Sequence, residues 1–193
     1  MTVLPTFAVL AASTITNTGP SIVKGNVGVF PGTSITGFPP GAGVMCQSEA
    51  EEAQQELDAL WASLDIKEAT TDLTGKDLGG MTLKAGVYKF SSSAELTGTL
   101  TLDGNGDPTS TFVFQIGSTL VTATSAEVVL TNGALAENVF WVVGSSATLG
   151  TSTNFDGKIL AYASITLNNG ATVDGALWAR TGAVTLDYNF IDL

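Results

Sequence analysis

With 193 residues, 44% of them apolar, the chain can bury one continuous core, and 22 glycines beside only 13% charged residues point to many short turns rather than many helices. A net charge of −11, with seven Lys and Arg in all, argues against nucleic acid or an anionic membrane as partner, and no apolar run of 18 residues is present to span a bilayer. There is no His, and a single Cys, Cys46, excludes an internal disulfide and a cysteine metal site; it reads as a small, half-buried side chain.

Met1-Thr2-Val3-Leu4 runs straight into a first strand with no basic, apolar leader before it, so an exported protein would already have lost its signal. Val23-Lys24-Gly25 then places an apolar residue inward, a charge outward and a glycine at a corner. After Pro39-Pro40-Gly41, residues 48–69 change period. Ser48 and Glu51 form a capping box, and Ala50, Ala53, Leu57, Leu60/Trp61 and Leu64 make one apolar stripe at helical spacing. This predicts an amphipathic helix whose Trp is packing rather than a ligand box.

From there the chain reads as strands of three kinds. Phe112-Val113-Phe114, Val139-Phe140-Trp141-Val142-Val143, Ile159-Leu160-Ala161-Tyr162 and Leu177-Trp178-Ala179 are apolar on both faces and must be covered on both. The helix is their natural cover. It would bury Phe140, Leu160 and Trp178, each contributing roughly 1.5 to 3 kcal/mol when fully covered. Leu102-Asp103-Gly104, Phe155-Asp156-Gly157 and Val173-Asp174-Gly175 repeat the Val23-Lys24-Gly25 pattern, the last two 18 residues apart. Ser146-Ala147-Thr148-Leu149, Ser164-Ile165-Thr166-Leu167 and Ala183-Val184-Thr185-Leu186 form the third kind, with their threonines 18 and then 19 residues apart.

A fixed period near twenty is the mark of a stacked solenoid. Alternation places Ala147, Ile165 and Val184 inside with Leu149, Leu167 and Leu186, and leaves 146/148, 164/166 and 183/185 outside. The fold class expected is therefore mainly β, each coil having one covered wall, one flat threonine-rich wall and one charged wall. Threonine suits the outward face of any strand, but the strand charges fall almost wholly on the other wall, at Lys24, Asp103, Glu127, Asp156 and Asp174. Solvated strands usually mix charges in, so the uncharged wall is the candidate functional surface.

Two other functions have less support in the residues. A polysaccharide-cleaving β-helix enzyme would need convergent acids and bases; Asp156 and Asp174 share a wall, but they sit at a repeated corner where a turn role suffices. An adhesin or carbohydrate-binding module would display exposed aromatics, whereas the Trp and Phe are expected in the helix or the apolar wall. No calcium repeat of the Gly-Gly-x-Gly-x-Asp type occurs. No catalytic residue, cofactor or metal is expected.

Long stretches resemble a known family. Phe-Ala-Val-Leu-Ala-Ala-Ser at 7–13, Gly-Asn-Val-Gly-Val-Phe-Pro-Gly at 25–32, Gly-Gly-Met-Thr-Leu-Lys-Ala-Gly-Val-Tyr-Lys-Phe at 79–90, Phe-Val-Phe-Gln-Ile-Gly-Ser-Thr-Leu at 112–120, Asn-Val-Phe-Trp-Val-Val-Gly-Ser-Ser-Ala-Thr-Leu-Gly at 138–150 and Gly-Ala-Val-Thr-Leu-Asp at 182–187 are similar to the microbial ice-binding (antifreeze) proteins. The resemblance implies one domain over 1–193: a right-handed discontinuous β-solenoid of triangular cross-section, with a long helix along one face and the N-terminal coil stacked beside the C-terminal one. It also implies a secreted monomer whose partner is the ice surface. The ice-binding wall, next in chain order after the helix-covered one, would carry Thr14, Thr16, Ser34, Thr36, Thr119, Val121, Ser146, Thr148, Ser164, Thr166, Ala183 and Thr185. Ser93/Glu95 departs from the pattern, and Glu95 is expected to mark the edge.

Overall fold

The computed structural model describes residues 2–38, 44–45 and 47–193; the Pro39-Pro40-Gly41 break and Cys46 lie outside the described residues. β1 (Phe7–Ala11), β2 (Thr14–Thr18) and β3 (Ile22–Lys24) form one coil. β4 (Asn26–Val29) and β5 (Ser34–Thr36) begin another, and β6 (Val44–Met45) leads into α1 (Gln47–Asp65). After the helix come β7 (Thr71–Asp72) and β8 (Thr82–Lys84), then coils of three strands each: β9 (Gly86–Phe90), β10 (Ala94–Leu96), β11 (Thr99–Asp103); β12 (Phe112–Ile116), β13 (Leu120–Thr122), β14 (Glu127–Thr131). β15 (Val139–Val143), β16 (Ala147–Leu149), β17 (Asn154–Asp156), β18 (Lys158–Ala161), β19 (Ile165–Leu167), β20 (Thr172–Asp174), β21 (Leu177–Ala179), β22 (Val184–Asp187) and β23 (Phe190–Asp192) complete the stack.

Three parallel sheets result. Sheet A runs β6-β4-β1-β21-β18-β15-β12-β9-β7, sheet B runs β10-β13-β16-β19-β22-β2-β5, and sheet C runs β3-β23-β20-β17-β14-β11-β8. In each, the strand of the first coil pairs with that of the last: β1 with β21, β2 with β22, β3 with β23. The solenoid is thus discontinuous in sequence, as expected.

The core fills the triangle and alternation explains it. Ala94, Leu120, Ala147, Ile165, Val184 and Ile15 from sheet B are each 1% exposed or less. Inside sheet A, the in-register residues Tyr88, Phe114 and Trp141 stack with ring centroids 5.4 and 4.0 Å apart, and Phe155 from sheet C closes the row at 4.9 Å. Coils with so little space between them need glycine at corners. At Gly175, φ is +141°, and an added Cβ would run into the carbonyl of Gly157 in the adjacent coil.

A second apolar layer lies between α1 and the outer face of sheet A. Ala50, Ala53, Leu57 and Leu64 are buried there against Leu10, Val113, Val142, Leu160 and Trp178, with Leu60, Trp61 and Phe140 partly covered. Polar ties fix the helix at several points. Glu56 accepts the Val3 and Leu4 amides at 3.0 and 2.8 Å, and Arg180 pairs with Asp58 at 2.7 Å while lying 4.5 Å over the Trp61 ring.

The helix ends at Asp65 rather than at 69. Buried Gln115 on β12 donates to the carbonyls of Leu64, Asp65 and Lys67 at 2.8, 3.1 and 2.8 Å, capping the C-terminus, and the Thr70 amide is then taken by Val87 O at 2.7 Å. The helix starts at Gln47, and the Ser48 side chain lies outside the described residues. Phe155, on sheet C, points inward to the aromatic row, as its place before the outward Asp156 predicts. Phe190, also on sheet C, departs from the expectation that Phe falls in the helix or the apolar wall: it lies half-buried on the outer face, 4.8 Å beneath Lys24 Nζ.

Candidate functional site

The outer face of sheet B is a ladder two columns wide. In spatial order the first column is Glu95, Val121, Thr148, Thr166, Thr185, Thr16 and Thr36, each in direct register with the next. These side chains share one face because each follows an inward residue of its strand, buried in every case but the half-buried Ile35. The second column, two residues earlier in each strand, is Ser93, Thr119, Ser146, Ser164, Ala183, Thr14 and Ser34, of which Thr14 and Ser34 are directly paired. All twelve residues expected from the sequence are therefore brought onto one wall, although their strands come from both ends of the chain.

The two columns differ chemically. Thr148, Thr166, Thr185, Thr16 and Thr36 carry hydroxyls with no protein partner among the described residues. In the second column, Ser146 Oγ accepts the Ser164 amide at 3.3 Å, Ser164 Oγ accepts the Ala183 amide at 3.1 Å, and the Ser93 and Thr119 hydroxyls bond each other at 2.8 Å. The threonine hydroxyls of the first column are free for an external partner, whereas the hydroxyls of Ser93, Thr119, Ser146 and Ser164 in the second tie coil to coil. Sequence spacing locates both columns and cannot separate them, since a Ser at the rim looks the same whether or not its hydroxyl reaches the next coil. Gly182 at this rim is required by the same closeness: a Cβ there would collide with Ser164 Oγ and lie 2.7 Å from the Ala163 backbone.

Sheet C contrasts in charge. Asp156, Asp174 and Asp192 stack in register and continue into Lys24, which pairs with Asp192 at 2.6 Å. Burial first, then the Asp174 and Glu127 charges, push the Asp156 carboxyl up to about 6; Asp174 is raised by burial and by Asp192. The Asp156–Asp174 pair is thus one stretch of a carboxylate row generated by the repeat. The exposed tyrosines, Tyr162 at 48% and Tyr188 at 54%, stand at corners; Tyr162 lies against Trp61 and beneath Arg180.

The family described as Ice-binding-like matches residues 9–192. An ice-binding protein of Nostoc sp. (strain HG1) is 54% identical over 188 residues, covering 95% of this chain and 70% of that protein. The crystal structure of an ice-binding protein from the Antarctic ascomycete Antarctomyces psychrotrophicus superposes with a TM-score of 0.88 at 41% identity, covering 98% of this chain and 95% of the other. One from an Antarctic biological consortium superposes at 0.94 with 42% identity, covering 98% and 88%. The chain belongs to the Ice-binding-like family.

Proposed function

We propose that the protein is a single ice-binding domain that adsorbs to ice through the outer face of sheet B, working outside the cell as a monomer without enzymatic activity. The observation that carries the reading is the run of five in-register threonines, Thr148-Thr166-Thr185-Thr16-Thr36, with unpartnered hydroxyls on a nearly uncharged wall. Adjacent strands lie ~4.8 Å apart, close to an oxygen repeat of hexagonal ice, so the ladder presents methyls and hydroxyls at nearly lattice spacing. The methyls order water in cages. The hydroxyls anchor that water by hydrogen bonds that each contribute only ~1 kcal/mol net.

Affinity must then come from many weak contacts on a surface that loses little freedom. Ordering a flexible side chain costs ~0.5 to 1.5 kcal/mol, and β-branched threonine has few rotamers to lose. The hydroxyls of Ser146 and Ser164 hold neighbouring coils together beside the ladder. Molecules adsorbed in this way pin the ice front and force it to bulge between them, and curvature lowers the local freezing point and blocks recrystallisation. Growth of a single ice hemisphere in fluorescently labelled protein tests the reading. Label should concentrate on discrete crystal planes, and uniform exclusion from the ice would overturn it.

A further inference from the structure

The backbone of sheet B continues one rung beyond the point where its chemistry stops. β10 pairs in register with β13, its inward residues Ala94 and Leu96 are buried like those beneath the threonines, and Ser93 continues the second column by its bond to Thr119. At the outward position, however, stands Glu95 instead of a small neutral residue. Its side chain is exposed and makes no hydrogen bond or ion pair among the described residues, so the fold does not need it. Beyond it Asp77 adds a single parallel bridge to Glu95, and a concavity of about 440 Å³ lined by Gly75, Lys76, Asp77, Ser92, Ser93 and Glu95 opens there. Asp77 is pinned there by the amides of Gly79 and Thr97 at 2.6 and 2.9 Å.

We infer that Glu95 sets the length of the ice-contacting ladder: a geometrically complete rung whose carboxylate keeps its own hydration shell and so ends the ordered-water lattice at Val121. This rests on the reading of sheet B as the ice face. Stripping water from a carboxylate costs more than a neutral hydroxyl at the same place returns, so ice in register over β10 is disfavoured although the strand beneath has the right geometry. A shorter, neutral side chain there would add a sixth threonine, with Val121 between it and the other five.

The test compares wild type, Glu95→Thr, Glu95→Gln and Thr148→Tyr for ice adsorption, thermal hysteresis and melting temperature. Glu95→Thr should bind ice roughly fivefold more tightly, the equivalent of one added hydrogen-bonding contact, with the melting temperature unchanged. Glu95→Gln should fall between it and wild type, because it removes charge and keeps length. If both Glu95 variants match or fall below wild type while Thr148→Tyr destroys activity, the ice face stands and the role of Glu95 is refuted. If Thr148→Tyr is harmless, both the inference and the reading beneath it fail.

Discussion

Asp156 carries the clearest consequence of stacking like residues. Its carboxyl binds a proton more tightly in the folded chain, about 6, than in the unfolded one, about 4. Ionising it therefore weakens the fold: the loss sets in as pH rises through about 4 and is complete above about 6. Asp103 behaves in the opposite sense. The Asn105 amide first, then the Asn132 side chain, lower its pKa, so its contribution is lost only as pH falls below the ordinary carboxylate range. Asp72 and Asp107, lowered by Thr74 and Thr109, act the same way. Thermal melting should therefore be highest in mildly acidic solution. Asp156→Asn should raise the melting temperature at pH 7 and leave it unchanged near pH 4, and an equal effect at both would show that the carboxylate row does not control stability.

At the scale of elements, the helix and the ladder were legible to different depths. The apolar stripe of α1 gave its existence and buried face, because a 3.6 period over several turns has few other readings. Its C-terminus was misplaced by four residues, 69 against Asp65, because the stop comes from Gln115, fifty residues away in sequence from the carbonyls it caps. The threonine ladder was readable where the period holds, from Ser146 to Leu186; the places of Thr14, Thr16, Ser34 and Thr36 came from family resemblance, since no local spacing tells β2 to pair with β22. Leu57 is fully buried between helix and sheet A, on the side of the molecule away from the ladder. Leu57→Ala should cost about 2 to 5 kcal/mol of stability, read by denaturant unfolding. Below its melting temperature it should keep full thermal hysteresis; loss of activity in the folded variant would mean that the helix takes part in binding ice.

At the scale of the molecule, the three walls divide the work. Sheet A takes the helix on its outer face, sheet C carries the stacked carboxylates, and sheet B is left flat and nearly uncharged. The wrap of the last coil onto the first joins these walls into one stack, so the five threonines form one surface although two come from the first forty residues and three from the last fifty. A solenoid of this kind can change its outward side chains without disturbing the triangle inside. Thermal hysteresis of Thr166→Tyr against Asp174→Tyr, with melting temperatures measured alongside, therefore tests the division most directly. Thr166→Tyr sets a ring in the middle of the ladder and holds its neighbours off the lattice, so it should lose most of the hysteresis with little change in melting temperature, while Asp174→Tyr should stay close to wild type. Loss in Asp174→Tyr with Thr166→Tyr unaffected would move the ice-binding face to sheet C, and activity intact in both would contradict adsorption through a flat wall.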